Sequence, residues 1–272
     1  MRISIRIMLS SFLTLMLANV QAGLIDLSSW SEEGPGAGNW IVAGDNNSVL
    51  QTKNSSNPTF FISDNPFINS QFTGNITVET KSDDDFIGFV FGYKSPYADN
   101  GDAAKDFDFL LFDWKQGNQG SAVSGLHLSR VEGDFSGQNI SHSNSTASNP
   151  FWSHEDIITN NYSFITLASL TGSGMGWADK TSYDFELTYQ SNLIEIVIDG
   201  GAFDNQTIFS VAGNYEPGSF GFYNSSQNSV RYAGITETIA PAIGVSEPIT
   251  VILFALSTAG LVFRHKTGQT HN

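Results

Sequence analysis

Tyr183, Phe185, Leu187 and Tyr189 alternate with Asp184, Glu186 and Thr188. A period of two puts one set of side chains on a buried face and the other in water, the signature of a half-buried β-strand. Gln190-Ser191-Asn192 then turns the chain. Ile194, Ile196 and Ile198 share one face of a partner strand that ends at Asp199-Gly200-Gly201. The alternation recurs where Ile76 and Val78 are interleaved with Asn75, Thr77 and Glu79. Phe86–Tyr93 and Phe107–Trp114 are richer in apolar residues, as expected of central strands. Ser219–Tyr223 and Val230–Thr236 read as a closing hairpin. Gly88 and Gly92 leave a flat track on one strand face, where another backbone or a ligand can come close. From Ile25 to Thr238 there is no long helical period and no evident internal repeat. The pattern predicts an all-β antiparallel sandwich or jelly roll and does not choose between the two.

Composition sets the bounds on chemistry. Twenty-one Phe, 8 Tyr and 5 Trp in 272 residues are enough for a substantial core. Lys and Arg total 12 against 27 Asp and Glu, a formal net charge of −15, which excludes a basic nucleic-acid binder. Cysteine is absent, so disulfides, thiolate metal sites and cysteine nucleophiles are excluded together. With only five His, a metal would be held mainly through oxygen, which points to Ca²⁺.

Both ends read as export signals. Residues 1–22 combine Arg2 and Arg6 with an apolar stretch from Ile7 to Val20 and small residues at Val20-Gln21-Ala22, the pattern of a signal peptide cleaved before Gly23. Residues 23–240 form the expected domain, and 241–272 a linker and tail. In the tail, Ser246-Glu247-Pro248 precedes an uncharged segment, 249–263, followed by Arg264, His265 and Lys266. A helix of that length reaches about 22 Å, short of a hydrocarbon core of about 30 Å, but basic residues at its end can snorkel to the interface. This order resembles the PEP-CTERM sorting tail of Gram-negative bacteria. The resemblance implies processing by an exosortase-type membrane protease and at least transient membrane association. Ser246 stands where the first Pro is usual, and a polar tail follows Lys266.

Asp83-Asp84-Asp85-Phe86-Ile87-Gly88-Phe89-Val90-Phe91-Gly92-Tyr93 is the most specific segment. It resembles the calcium-associated strand of the thrombospondin C-terminal domain, a jelly roll of the L-type-lectin (concanavalin-like) kind. Further matches follow in order: Asn39-Trp40-Ile41-Val42, Val49-Leu50-Gln51-Thr52, Trp114-Lys115-Gln116, Ser124-Gly125-Leu126, Phe151-Trp152, Gly176 to Tyr183, and Gly218 to Tyr223. Pro96 to Lys105 is an insertion relative to the animal domains, and Asp113 stands where they carry an apolar residue.

Three consecutive aspartates repel one another, and a cation at a loop before a strand removes that cost. Were the run extended, Asp84 would point away from Asp83 and Asp85, so at most two of the three would share an ion. Asp106, Asp108 and Asp113 lie in the neighbouring strand region and are candidates to complete the shell. The lectin resemblance makes Asp113 a second-site candidate. Asp99-Asn100-Gly101-Asp102 looks like part of an EF-hand loop but has Leu110 where the bidentate Glu belongs. The resemblance further implies a sugar site in the loops around the metal, with Asp84 or Asp85, Tyr97, Asn118 and Trp152 as the nearest equivalents. Glu186 and Glu195 stand isolated on separate strands, and His127 and His154 belong to no recognisable motif.

These readings predict an exported, calcium-binding, non-enzymatic adhesion or extracellular-matrix module that binds a glycan or a surface protein. The alternatives are a structural exopolysaccharide or biofilm matrix protein without a discrete ligand, and a glycan-active enzyme.

Overall fold

The computed structural model describes residues 22–36, 38–94 and 106–241. Sixteen strands follow in order: β1 (Gly23–Leu24), β2 (Ser31–Glu33), β3 (Trp40–Val42), β4 (Ser48–Gln51), β5 (Thr59–Phe67), β6 (Ser70–Val78), β7 (Phe86–Tyr93), β8 (Phe107–Lys115), β9 (Gly125–Gly133), β10 (Ile157–Ile158), β11 (Tyr162–Thr171), β12 (Ser182–Tyr189), β13 (Leu193–Gly200), β14 (Phe203–Ala212), β15 (Gly218–Ser225) and β16 (Val230–Ile239). One helical turn, α1 (Pro150–Ser153), precedes β10. The strands form two antiparallel sheets. The first runs β14-β13-β12-β6-β16-β4-β3 with β1 added beside β16, and the second runs β10-β11-β9-β8-β7-β15-β5-β2. The molecule is therefore the expected all-β sandwich.

The alternating hairpin forms as its pattern requires: Phe185 pairs with Ile198 and Leu187 with Ile196, all four buried between the sheets. The interior is largely aromatic. Phe72 stacks on Phe220 at 4.4 Å between ring centroids, and Phe89 lies 4.5 Å from Phe112 and 4.9 Å from Phe185. Such pairs bury large apolar area and favour defined ring geometry over fluid packing.

The second sheet is covered on its other face as well. A separate apolar cluster, centred on Phe60, Phe86, Phe107 and Phe109, packs beneath Phe135, Phe151 and Trp152 from the chain between β9 and β10. This explains why β7 is buried at every position and why both central strands are apolar nearly throughout.

Two readings need correction or completion. β15 and β16 are not a hairpin: β15 pairs with β5 and β7 in the second sheet, whereas β16 pairs with β4 and β6 in the first. Ser226 and Ser229 have positive φ in the crossing between them, and the Tyr232 hydroxyl donates to the Tyr223 carbonyl at 2.7 Å. The glycine track is filled by the chain itself. A Cβ on Gly92 would lie 2.5 Å from the Tyr189 hydroxyl, and one on Gly218 would lie 2.2 Å from the backbone of Gly92. One on Gly88 would meet the Phe112 carbonyl oxygen at 2.0 Å.

Candidate functional site

Asp83, Asp84 and Asp85 lie in the loop that enters β7. The run precedes the strand, and Asp84 does not stand apart from its neighbours: each of the three offers a carboxylate oxygen, and these atoms all lie within 4.8 Å of one another. Burial, then the charge of Asp85, push the Asp83 carboxyl above the ordinary carboxylate range. Two donors oppose that shift: the backbone N–H of Asp84 donates to Asp83 Oδ1 at 3.2 Å, and the Asn54 amide donates to Asp83 Oδ2.

A cation already stands on the inner side of this cluster. Lys115, the last residue of β8, is fully buried, and its ammonium donates to Asp85 Oδ1 at 2.7 Å and to the Asp84 carbonyl at 3.0 Å. Asp84 Oδ1 is 3.4 Å away and Gln119 Oε1 is 3.3 Å away. Phe86 and Trp152 place their rings 5.2 and 5.0 Å from the same nitrogen. The Trp177 indole N–H donates to the Asp85 carbonyl at 3.0 Å, and the backbone N–H of Asp85 donates to Gln227. Asp85 and the inner oxygen of Asp84 are thus engaged by protein. Asp84 Oδ2 is on the more open side, beside Gly117, where a Cβ would lie 2.6 Å from it, and the Asp84 side chain is 41% exposed.

This donor set is all carboxylate oxygen and fits a hard divalent cation at the outer edge, with water completing six to eight ligands. Lys115 cancels part of the negative charge, which places such a site among weak ones. Asp106 and Asp108 do not reach it. β8 runs antiparallel to β7 with Lys115 opposite Phe86, so Asp108 lies seven residues away, roughly 23 Å at strand rise. Asp108 instead pairs with Lys94 at 2.6 Å and Arg130 at 2.7 Å, and Asp106 precedes β8 beyond it.

Asp113 is also elsewhere. It is fully buried on the covered face of the second sheet, opposite His127 of β9, and His154 Nε2 lies 2.8 and 3.0 Å from its two oxygens. Burial raises its carboxyl above the ordinary range, opposed by His154. Trp152 is no exposed sugar platform: it is buried, with its indole N–H donating to the Gln119 carbonyl at 3.0 Å. Asn118 is exposed, and its side-chain oxygen accepts the Ser124 N–H at 2.7 Å. Tyr97 and the Asp99–Asp102 segment lie outside the described residues, as do the signal at 1–22, up to Gln21, and the tail from residue 242.

Glu186 and Glu195 are less isolated than their strands suggest. Glu186 pairs with Val197 and Glu195 with Thr188, which makes the two carboxylates diagonal neighbours on the outer face of the first sheet. Burial, then Glu195, raise the Glu186 carboxyl. Glu186 also lines a shallow groove of about 350 Å³ with Asn75, Asp184, Asp199 and Asn205.

With this geometry in view, the relatives are informative. The thrombospondin C-terminal region matches residues 36–239. The chain belongs to the thrombospondin C-terminal family. The domain is 23% identical over 214 residues to thrombospondin-3b of Danio rerio, covering 72% of this chain and 20% of that protein. It is 26% identical over 162 residues to cartilage oligomeric matrix protein of Rattus norvegicus, covering 56% and 18%. The chain thus spans about a fifth of the length of these curated relatives. Among solved structures it resembles the VIP36 exoplasmic/lumenal domain in its Ca²⁺/Man3GlcNAc-bound form, with TM-score 0.51 and 13% identity, covering 82% of this chain and 90% of that one. That likeness shows a lectin-like fold. Among the described residues no helix is long and apolar enough to cross a membrane.

Proposed function

We propose that the protein is an exported, non-enzymatic adhesion or extracellular-matrix module that binds Ca²⁺ weakly at the edge formed by Asp84 Oδ2 and the neighbouring Asp83 carboxylate. It binds a glycan or surface protein beside that ion. The observation that carries the reading is the three-carboxylate cluster at the entry to β7, closed on its inner side by Lys115 and open on its outer side. Family membership supports a matrix role, since the relatives include a cartilage matrix protein. The lectin-like fold and the Ca²⁺ and mannoside named for VIP36 support a glycan. The signal-like pattern at 1–22 and the PEP-CTERM-like tail at 246–266 support export, and the tail resemblance supports processing by an exosortase-type protease.

The ligand seat we infer comprises Asp84, Gly117 and Asn118. Gly117 keeps the space beside Asp84 Oδ2 free of a side chain, and Asn118 retains its amide N–H groups once its oxygen has accepted Ser124. A carboxylate and an amide at one rim suit paired sugar hydroxyls. On a glycan array, binding is expected with Ca²⁺ and a loss of about tenfold or more in Asn118→Ala. No binding to any glycan or matrix preparation would remove the lectin form of the proposal and favour the structural matrix protein.

The Glu186–Glu195 pair favours a second reading, a glycan-active enzyme. Reducing-sugar release from a polysaccharide panel, abolished by Glu186→Gln, would establish it; no release excludes it for that panel.

A further inference from the structure

Asp113, His127 and His154 come from β8, β9 and the turn after α1, and each offers one ligand atom within 4.8 Å of the others. All three are buried. His127 and His154 stack face to face, 3.7 Å between ring centroids and 7° between planes. Each keeps a buried Nδ1 with no hydrogen-bond partner. His154 is held in the left-handed region, φ 57° and ψ 23°, by the end of α1, while its carbonyl accepts the Thr166 hydroxyl at 2.8 Å. The side chain is thereby aimed at Asp113 from a backbone conformation that costs free energy in a non-glycine residue.

We propose that Asp113, His127 and His154 form a second metal site, for a borderline divalent transition cation such as Zn²⁺, distinct from the calcium edge at Asp83. One carboxylate and two imidazoles are a donor set for Zn²⁺ rather than Ca²⁺, which takes oxygen ligands. The cation takes the place of the hydrogen between His154 Nε2 and Asp113, and the imidazole keeps that proton on its unpartnered Nδ1, which leaves a neutral ring as the ligand. His127 is the ligand that must turn. Parallel stacked rings do not direct their lone pairs at one point, and ligand atoms in a tetrahedral site lie about 3.3 Å apart. Nothing holds the His127 Nδ1, so the turn breaks no hydrogen bond there. Burial beside His154 lowers the His127 pKa to about 2, so the imidazole is neutral, the form a metal requires. Water fills the remaining position. The calcium cluster is kept apart by the Phe86 ring, which lies 5.5 Å from the His154 ring on one side and 5.2 Å from the Lys115 ammonium on the other.

The test uses the full purified chain, stripped with EDTA and dialysed against Zn²⁺ or Co²⁺ alone. The expected result is about one Zn²⁺ retained per chain and a melting temperature raised by roughly 5–10 °C at a hundredfold excess over Kd. Co²⁺ should give the visible absorption of a low-coordinate nitrogen–oxygen site. His127→Gln should weaken binding by at least about tenfold, and Asp113→Asn should abolish it. Should Asp113→Asn fail to fold, His127→Gln carries the test. Asp83→Asn should leave Zn²⁺ retention unchanged, which separates this site from the calcium reading. Retention by His127→Gln equal to that of the wild type would overturn the proposal, as would no retained Zn²⁺ in the wild type.

Discussion

Replacing Lys115 by methionine is expected to lower stability by about 3–5 kcal/mol, a fall of roughly 6–20 °C in melting temperature. The methionine fills much of the same volume but leaves Asp85, which is 2% exposed, as a buried carboxylate without its ion pair. Desolvation makes that state far more costly than the loss of a surface pair. The same variant should become more responsive to Ca²⁺, because the acidic run loses its internal cation and the outer edge gains attraction for an external one. Thermal denaturation of both proteins across a Ca²⁺ series measures the two effects together. An unchanged melting temperature in Lys115→Met would show that the ammonium is not the element closing this cluster.

Trp152→Ala carries the second large effect, about 3–5 kcal/mol lost. The indole covers Lys115, packs edge-on against Phe86 at 5.5 Å and donates to the Gln119 carbonyl. Its removal opens a cavity in the outer cluster and admits water to the Lys115–Asp85 pair. Were Trp152 a sugar-stacking surface residue, the substitution would reduce glycan binding and leave stability nearly unchanged. Denaturant unfolding read beside the glycan array distinguishes these outcomes.

The fold was legible where one strand face meets water. Tyr183–Tyr189 alternates because its first-sheet strand has solvent on its outer side, and its partner and register follow. The second sheet gave no such signal. Both its faces are covered, so apolar residues run on without alternation, and β15 could not be told from a hairpin partner of β16. A crossing between sheets has the same turn residues as a hairpin, and only the burial on both faces separates them.

The site was legible in part for a related reason. Asp83–Asp85 stood out as a charge run before a strand, but its inner cation did not. Lys115 falls in a motif whose role was unassigned, and it shares a face with Asp113 on a strand otherwise apolar on that face from Phe107 to Leu111. Two charges on a covered strand are a signal that each has a buried partner. The histidines were harder. His127 meets Asp113 through the β8–β9 register, and His154 arrives through a turn that no periodicity announces. Asp106 and Asp108 were candidates because their strand neighbours the acidic run, but the antiparallel register brings Lys115 to that end and puts the start of β8 at the other.

The most direct measurement is the Ca²⁺ dependence of the melting temperature in wild type and Asp83→Asn. The ion binds the native state at a weak site, so a hundredfold excess over Kd stabilises by about 2.7 kcal/mol, roughly 5–10 °C. EDTA should reverse that shift, and Mg²⁺ should reproduce little of it because it keeps its own water shell. Asp83→Asn should abolish most of the response while retaining the fold that Lys115 and Asp85 hold together. A wild-type melting curve indifferent to Ca²⁺ and EDTA, with no calcium bound by elemental analysis, would contradict the site and leave Lys115 as the only cation this acidic loop employs.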